Sequence, residues 1–394
     1  MKEKILGLQH NVFFLGLTSL FNDFSSEMVF SVLPAFFISV LKSGAGALGI
    51  VEGVAEATSN FIKILSGRWS DRIQRRKIFA VAGYTLSVFI RPLYVLVSTV
   101  GGVIGLRVLD RVGKGLRDSP RDALISLSVA KEESGRSFGY HRAMDTLGAI
   151  LGPLVAFLIL QHYQLGFNKV FITAFVVGLA AIFSLVLVKD IRQVLDVKKN
   201  STSFPPLSRR FKIYIASIFI LSSGALPVGV LLFKTQDLGL SVADIPLFYM
   251  IYSVAYALFS WPAGRIADKW GGSRVIIVGY LLLIAGYVTL MFSSDIAILI
   301  AGFLLVGTFS ALTDGVQRSY LSFLVDESQR GIAYGYLNAA IGFGALLAGA
   351  VGGYLWQSFS DRSAFMISAG VVLVGLAMFG IGLISTRFTP AVVA

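Results

Sequence analysis

Long apolar runs recur along this chain of 394 residues and constrain its fold more than any other feature. The hydrocarbon core of a bilayer is about 30 Å thick, so a helix needs about 20 apolar residues to cross it. We place twelve such runs, and the first is expected to be a retained span rather than a cleaved signal sequence. The runs are residues 11–40, 45–66, 78–97, 101–127, 137–160, 168–188, 211–233, 244–263, 274–292, 296–324, 331–355 and 363–386. The expected fold is therefore an all-α integral membrane protein with twelve transmembrane helices.

The composition agrees with this expectation and excludes several chemistries. Charged residues make up 14% of the chain, against about 25% in soluble domains. The 41 glycines suit closely packed membrane helices. The sequence has no cysteine and only three histidines, which excludes thiolate chemistry and disfavours a zinc site built from histidine. We therefore expect no metal, no cofactor and no enzymatic activity.

The net charge of +12 raises nucleic acid as a partner, so the distribution of basic residues matters. With the N-terminus assigned to the cytoplasm, the cytoplasmic segments contain 21 lysines and arginines, and the opposite side contains four. This bias follows the positive-inside rule and accounts for most of the positive charge. It predicts an inner-membrane protein with both termini cytoplasmic and no nucleic-acid partner.

An internal repeat divides the chain into two halves. Residues 67–72 (GRWSDR) recur as residues 264–269 (GRIADK), an offset of 197. Between the halves lies a polar stretch with two adjacent prolines, which is typical of a linker. The predicted organisation is an N-terminal six-helix bundle over residues 1–188, a cytoplasmic linker over 189–210 and a C-terminal six-helix bundle over 211–394.

The repeated loop resembles the signature of the major facilitator superfamily (MFS), and the resemblance extends over the whole chain. It implies two pseudo-symmetric six-helix bundles that transport a solute by alternating access. It also implies that the two loops close the cytoplasmic side, with Gly67, Asp71, Arg72, Gly264, Asp268 and Lys269 as gating residues. Positive-inside topology alone could explain the basic residues of the loops, but not the repeated aspartate.

The fourth run is unusually charged for a membrane span. Residues 107, 111, 114, 118 and 121 recur at steps of three and four, which places them on one helix face. The pattern of an arginine followed by glycines is similar to the fourth span of the MFS, with Arg107 at the arginine position. Arg111 stands where that pattern prefers glycine.

The intramembrane charges of the first half sum to zero, with eight bases and eight acids. Neutrality favours internal ion-pair networks. In the second half only Asp314 and Arg318 are comparably placed, whereas aromatic residues are common. We therefore expect ionic chemistry in the first half and mostly apolar and aromatic contacts in the second.

Depth in the membrane singles out a few of these charges. At about 1.5 Å per residue, Asp23 lies about 18 Å from the cytoplasmic face, and Arg111 and Glu56 lie about 15 and 16 Å from the opposite face. Transporters of this kind place substrate and ion sites near the midplane. We predict proton coupling by Asp23, Glu27 and Glu56, with Arg107 or Arg111 as a switching counter-charge. Permanently paired structural carboxylates are the alternative for any one of them.

The remaining candidates follow from their position within the runs. Gly148-x-x-x-Gly152-Pro153 resembles part of the MFS antiporter motif and favours export, although a helix-packing seam would also explain both glycines. The predicted substrate and counter-charge residues are Asn22, Glu52, Arg107, Asp110, Arg111, Lys114, Arg142, Asp145, Tyr252, Tyr256, Asp314, Arg318 and Asn338.

The function predicted from these features is secondary active transport of a small organic solute, with proton-coupled efflux as the leading hypothesis. Proton-coupled uptake of an anionic or zwitterionic solute, such as a metal chelate or an organic acid, is the alternative. A non-transporting membrane receptor or a lipid flippase would be a different class. The expected partners are a small-molecule substrate, protons and the lipid bilayer, and the protein is expected to be a monomer.

Overall fold

Twelve long helical segments make up the chain in the computed structural model, which describes residues 4–73, 75–129, 133–191, 208–326 and 329–385. The side chains of Arg68, Asp71, Ser134, Ile384 and Ser385 are outside this description. The segments are α1 His10–Ser39, α2 Ala45–Ile73, α3 Arg76–Leu96, α4 Val100–Ser128, α5 Ser134–His162, α6 Phe167–Val186, α7 Arg209–Leu238, α8 Val242–Trp270, α9 Gly272–Met291, α10 Ile296–Ser322, α11 Arg330–Ser358 and α12 Asp361–Ser385.

Nine of the twelve segments are, within the described residues, long and apolar enough to cross a membrane. The other three are α1, α2 and α4, and all three contain acidic residues within the predicted spans. Charge on these helices lowers their hydropathy, and charges within membrane spans are costly unless they are paired or meet water. The all-α membrane fold expected from the sequence is confirmed.

The helix ends and breaks follow local sequence signals. The Thr99 side chain accepts a hydrogen bond from Gly102 N at the start of α4, and Asp295 accepts one from Ile298 N at the start of α10. In α3 the α-helix ends at Ile90 and continues as a 3-10 helix from Arg91, immediately before Pro92. Proline has no N–H for the helical ladder, which accounts for the tighter turn.

The segment α7 is interrupted between Ser223 and Val228. A buried tyrosine of α9 compensates for the break, since the Tyr287 hydroxyl donates to Gly224 O at 2.9 Å and accepts from Leu226 N at 2.7 Å. Broken backbone at membrane depth is tolerated only where its polar groups find partners inside the protein. Tyr287 supplies both partners.

The chain forms two compact units. The first contains residues 1–44, 54–196 and 235–253, and thus α1, most of α2, α3 to α6 and a piece of the second sequence half. Within it α1 packs on α5 and α6, and α3 packs on α4. The predicted linker 189–210 lies largely outside the described residues, and the predicted bundle boundaries stay a prediction.

The second unit contains residues 45–53, 197–234 and 254–394. Its helices α9 and α10 pack together, and α7 packs on α11 and α12. The start of α2 approaches α11 at backbone distance: a Cβ on Gly53 would lie 2.9 Å from Leu346 Cα, and one on Gly353 would lie 2.7 Å from Ala45 O. Small residues allow this approach, as in other membrane helix pairs.

A short hairpin precedes α1, with β1 Lys4–Ile5 paired antiparallel to β2 Leu8–Gln9. Lys4 Nζ donates to Glu133 Oε1 at 2.7 Å, beside the start of α5. This hydrogen bond, aided by one from Gln9, lowers the pKa of Glu133 from its usual value. The hairpin thereby contacts the start of α5 through an exposed, salt-sensitive ion pair.

Candidate functional site

Two carboxylates of α1, Asp23 and Glu27, lie on one helix face, one turn apart. Both are partly exposed, although the helix around them is largely buried. Two glycines of α5 bring the α5 backbone against this face: a Cβ on Gly148 would lie 3.1 Å from Asp23 Cβ, and one on Gly152 would lie 2.9 Å from Glu27 Cβ. The glycine spacing noted in the sequence is thus a packing seam that fixes the position of both acids.

Asp23 is held by a chain of hydrogen bonds that ends at a buried arginine. Arg91 Nη2 donates to Asn22 Oδ1 at 2.8 Å, and Asn22 Nδ2 donates to Asp23 Oδ1 at 3.0 Å. Arg91 is only 2% exposed and also donates to Ser25 Oγ. Because Arg91 occupies the amide oxygen, the NH₂ group of Asn22 must face the carboxylate. A neutral amide therefore stands between the arginine and Asp23.

Glu27 is also held by a neutral donor. The Tyr249 hydroxyl donates to Glu27 Oε2 at 2.7 Å. Tyr249 comes from α8, in the second half of the sequence, but belongs to the same compact unit as Glu27. Its ring contacts Phe30 edge-on at a centroid distance of 4.9 Å and lies 5.7 Å from the ring of Tyr252. Tyr252 is thus brought near the first-half acids.

On α2, Glu56 accepts a hydrogen bond from Asn60 Nδ2 at 2.9 Å. Arg111, Lys114 and Lys63 are the cations whose charges act on it most strongly. Lys63 itself forms an ion pair with Asp118 of α4, with Nζ 3.0 Å from Oδ2. Glu56 therefore lies in a positive field without a direct ion pair among the described side chains.

Several charged residues of α4 form ion pairs within the helix. Arg107 Nη1 lies 3.6 Å from Asp110 Oδ2, and its guanidinium lies 5.0 Å from the centre of the Phe30 ring. Arg121 is paired with both Asp118 and Asp122.

The expectation of a neutral ion-pair network is correct for these α4 residues and wrong for Asp23, Glu27 and Glu56. Asp23, Glu27 and Glu56 make no ion pair within 4.0 Å in the described part of the chain, and the same is true of Arg111 and Lys114. Neutral side chains donate hydrogen bonds to these acids instead. Net charge alone does not reveal this.

The α5 candidates adjoin the α1 acids. Ser19 donates a hydrogen bond to Asp145, and His141 Nδ1 lies 3.5 Å from Asp145 Oδ2. Asp145 is among the charges acting on Asp23, so two carboxylates from different helices share one region. Like charges in one place favour a shared proton. Arg142 is exposed and contributes to the field at Asp145.

Several of the predicted residues belong to the second unit. Glu52 is buried beside Gly229 of α7, and Asn338 of α11 is buried with its Oδ1 lacking a hydrogen-bond donor among the described groups. Arg318 O accepts a hydrogen bond from the Tyr334 hydroxyl at 3.3 Å. The residues of this set that lie in the second unit are Glu52, Tyr256, Asp314, Arg318 and Asn338.

The predicted gating residues lie at helix ends. Gly67 faces Ser119 of α4, with a Cβ there 3.6 Å from Ser119 Cβ, while Arg72, Asp268 and Lys269 are exposed. The side chain of Asp71 is outside the described residues. The closing role of Gly67, Asp71, Arg72, Gly264, Asp268 and Lys269 stays a prediction.

Sequence reasoning missed two members of this region. In the sequence, Arg91 is one of several intramembrane bases and Tyr249 is one of several aromatic residues. The contact of Arg91 with Asn22 and that of Tyr249 with Glu27 join residues far apart in the sequence. Among the described residues, no group of three or more histidine, aspartate or glutamate side chains could hold a metal ion.

Comparison with known proteins agrees with these features. The family model of the Major Facilitator Superfamily matches residues 15–226 and 213–391. An uncharacterized MFS-type transporter of Methanocaldococcus jannaschii is 35% identical over 385 residues, covering 94% of each chain. The multidrug resistance protein MdtG of Klebsiella pneumoniae is 24% identical and covers 88% of this chain and 87% of its own.

Solved structures share the fold. A crystal structure of the nucleoside transporter NupG has a TM-score of 0.77 at 15% identity, and covers 95% of this chain and 99% of its own. At that identity the likeness concerns the fold alone. Together with the family model and the relatives, it leads to one conclusion: the chain belongs to the Major Facilitator Superfamily and is a secondary transporter of small molecules.

Proposed function

We propose that this transporter exchanges protons for a small organic solute and exports that solute across the inner membrane by alternating access. One observation carries the proposal: Asp23 and Glu27 lie one turn apart on a membrane helix, and each is held by a neutral donor rather than by a cation. A carboxylate locked in an ion pair keeps its charge, whereas one held by neutral donors can gain and lose a proton.

The residues around these acids supply the remaining steps. Asn22 and Tyr249 both donate to a carboxylate, and these hydrogen bonds weaken when the carboxyl group is protonated, because the acceptor loses its charge. Tyr249 belongs to the second half of the sequence, so protonation of Glu27 weakens a contact between α1 and α8. In this scheme the change in that contact couples proton uptake to the conformational change. Glu56 is a third candidate, which would take up a proton only in a state where the positive field of Arg111 and Lys114 is withdrawn.

Export is supported by similarity to a multidrug resistance protein. The aromatic residues of α8 favour an amphipathic solute. We further propose that both termini are in the cytoplasm, as the distribution of lysine and arginine indicates. We also propose that the transporter works as a monomer.

A specific observation favours the second candidate, proton-coupled uptake of an anionic or zwitterionic solute. Arg111 and Lys114 make no hydrogen bond or ion pair in the described part of the chain, and both are partly exposed. Cations left without a partner at membrane depth are costly unless a ligand or water meets them. A carboxylate or phosphate of the solute could meet them.

Energised inverted membrane vesicles test the direction and the coupling together. Their outer face is the cytoplasmic one, so an exported solute added outside should release protons from the lumen and restore the fluorescence of a trapped acridine dye. A panel of cationic, anionic and zwitterionic compounds would be added in turn. For an uptake symporter, the same additions would leave the dye quenched, and solute-driven proton entry would appear only in right-side-out vesicles.

Variants of the acids identify the coupling residues. Asp23→Asn and Glu27→Gln should abolish dye recovery for every active compound, whereas Asp326→Asn, at an exposed loop position, should leave it intact. Normal recovery in both α1 variants would contradict the assignment of proton coupling. Absence of proton movement and of flux for all compounds would favour a receptor.

A further inference from the structure

The outer face of α3 carries a groove that plays no part in the site described above. Six of its eight lining residues lie at steps of one, three and four along the helix, so they form one continuous face. Its volume is about 690 Å³, within the range of ligand sites. The six are Ile78, Val81, Ala82, Thr85, Leu86 and Phe89.

The groove is apolar along its length, and its end at the start of α3 is charged. Ile78 and Phe89 are 52% and 53% exposed, and in a membrane this surface meets acyl chains. Lys77 and Asp190 complete the lining. Lys77 Nζ donates to Val186 O at 2.9 Å, which holds its ammonium group at this end.

The same end coincides with the N-terminus of α3. The helix begins at Arg76, and the side chain of its N-cap residue Arg75 makes no capping hydrogen bond. Uncapped N–H groups and the positive end of the helix dipole attract phosphate. Arg75, exposed at the N-cap position, adds a second cation next to Lys77. Two cations and a helix N-terminus outweigh the single carboxylate of Asp190.

The length of the groove matches one leaflet of a bilayer. Lys77 and Phe89 are twelve residues apart, or about 18 Å along a helix, and half of the hydrocarbon core is about 15 Å. We propose that the groove binds one anionic phospholipid, with an acyl chain along Ile78 to Phe89 and the phosphate at Lys77 and the start of α3. A zwitterionic headgroup also carries a phosphate, but its own cation offsets that charge and is repelled by Lys77 and Arg75, so an anionic headgroup fits this end better.

Native mass spectrometry of the delipidated, detergent-purified full chain tests this binding directly. The probes are phosphatidylglycerol and phosphatidylcholine with identical acyl chains, titrated separately. We expect one phosphatidylglycerol to bind more tightly than any phosphatidylcholine. Lys77→Gln should weaken that first binding step about fivefold, since a base at the membrane surface contributes about that factor. Ala82→Trp, which fills the groove, should remove it.

Matched controls separate the groove from general surface effects. Lys212→Gln removes an exposed lysine near the start of another helix, and Ala301→Trp adds the same bulk to an exposed position on α10. Both should bind phosphatidylglycerol as the unmodified chain does. Equal affinity for the two lipids in the unmodified chain, which needs no variant, would overturn the proposal. So would binding that is the same in Lys77→Gln and Lys212→Gln, or in Ala82→Trp and Ala301→Trp.

Discussion

Replacement of Gly152 by alanine tests whether the α1–α5 seam positions the carboxylates. A Cβ at this position would lie 2.6 Å from Phe24 O, 2.9 Å from Met28 N and 2.9 Å from Glu27 Cβ. Two of these three atoms are backbone atoms, which cannot move without a shift of the whole helix. Overpacking of this kind costs about 1–3 kcal/mol.

The same helix provides the control. Gly139 is exposed, and a Cβ added there would meet no neighbouring group within 4 Å in the described part of the chain. Alanine is favoured over glycine in a helix interior by about 0.5–1 kcal/mol, and this gain applies to both substitutions. The difference between Gly152→Ala and Gly139→Ala therefore isolates the contact with α1, and we expect it to be about 1–3 kcal/mol.

This difference in the free energy of unfolding can be measured in mixed micelles. Each variant is titrated with a denaturing detergent, and its unfolding is followed by circular dichroism. Gly139→Ala should be as stable as the unmodified chain or slightly more stable, and Gly152→Ala clearly less stable. Because Glu27 lies at the contact, Gly152→Ala should also reduce solute-dependent proton movement. Equal stability of the two variants would refute the close approach of α5 to α1 at this position.

Two further predictions concern other parts of the fold. Tyr287→Phe removes the hydroxyl that hydrogen-bonds the backbone at the break in α7 and should lower the free energy of unfolding by about 1–3 kcal/mol. Tyr354→Phe, at a residue 60% exposed, should lower it little. Denaturing-detergent titration compares the two variants, and equal losses of stability would argue against the role of Tyr287. The lowered pKa of Glu133 means that the hairpin contact with Lys4 is complete above the usual pKa of about 4.5 and is lost as the pH falls through the lowered value. Protease cleavage of the hairpin should therefore rise in acid, and Lys4→Gln should already be cleaved readily at neutral pH; a pH-independent cleavage rate in the unmodified chain would contradict this.

The periodic features of this fold were open to prediction from sequence. Apolar runs of membrane-spanning length predicted the helices, and the repeated loop at residues 67–72 and 264–269 predicted the family, because both signals are local. The charged face of α4 also followed from spacing alone. Its pairings of Arg107 with Asp110 and of Arg121 with Asp118 join residues three apart on one helix.

The partners of the α1 acids could not be predicted in the same way. Tyr249 lies 222 residues from Glu27, and Arg91 lies 69 residues from Asn22. Net neutrality of the first half suggested ion pairs, but it cannot distinguish a direct pair from a carboxylate held by an amide or a phenol. That distinction depends on how α1, α3 and α8 pack, and packing is set by contacts that no local pattern encodes.

Infrared difference spectroscopy of the reconstituted transporter tests most directly whether the α1 carboxylates carry protons. Lowering the pH should produce a protonated-carboxyl band, and Asp23→Asn and Glu27→Gln should each remove part of it, whereas Asp326→Asn should leave that part unchanged. A band of the same size and pH dependence in the unmodified chain and both α1 variants would contradict proton binding at these residues.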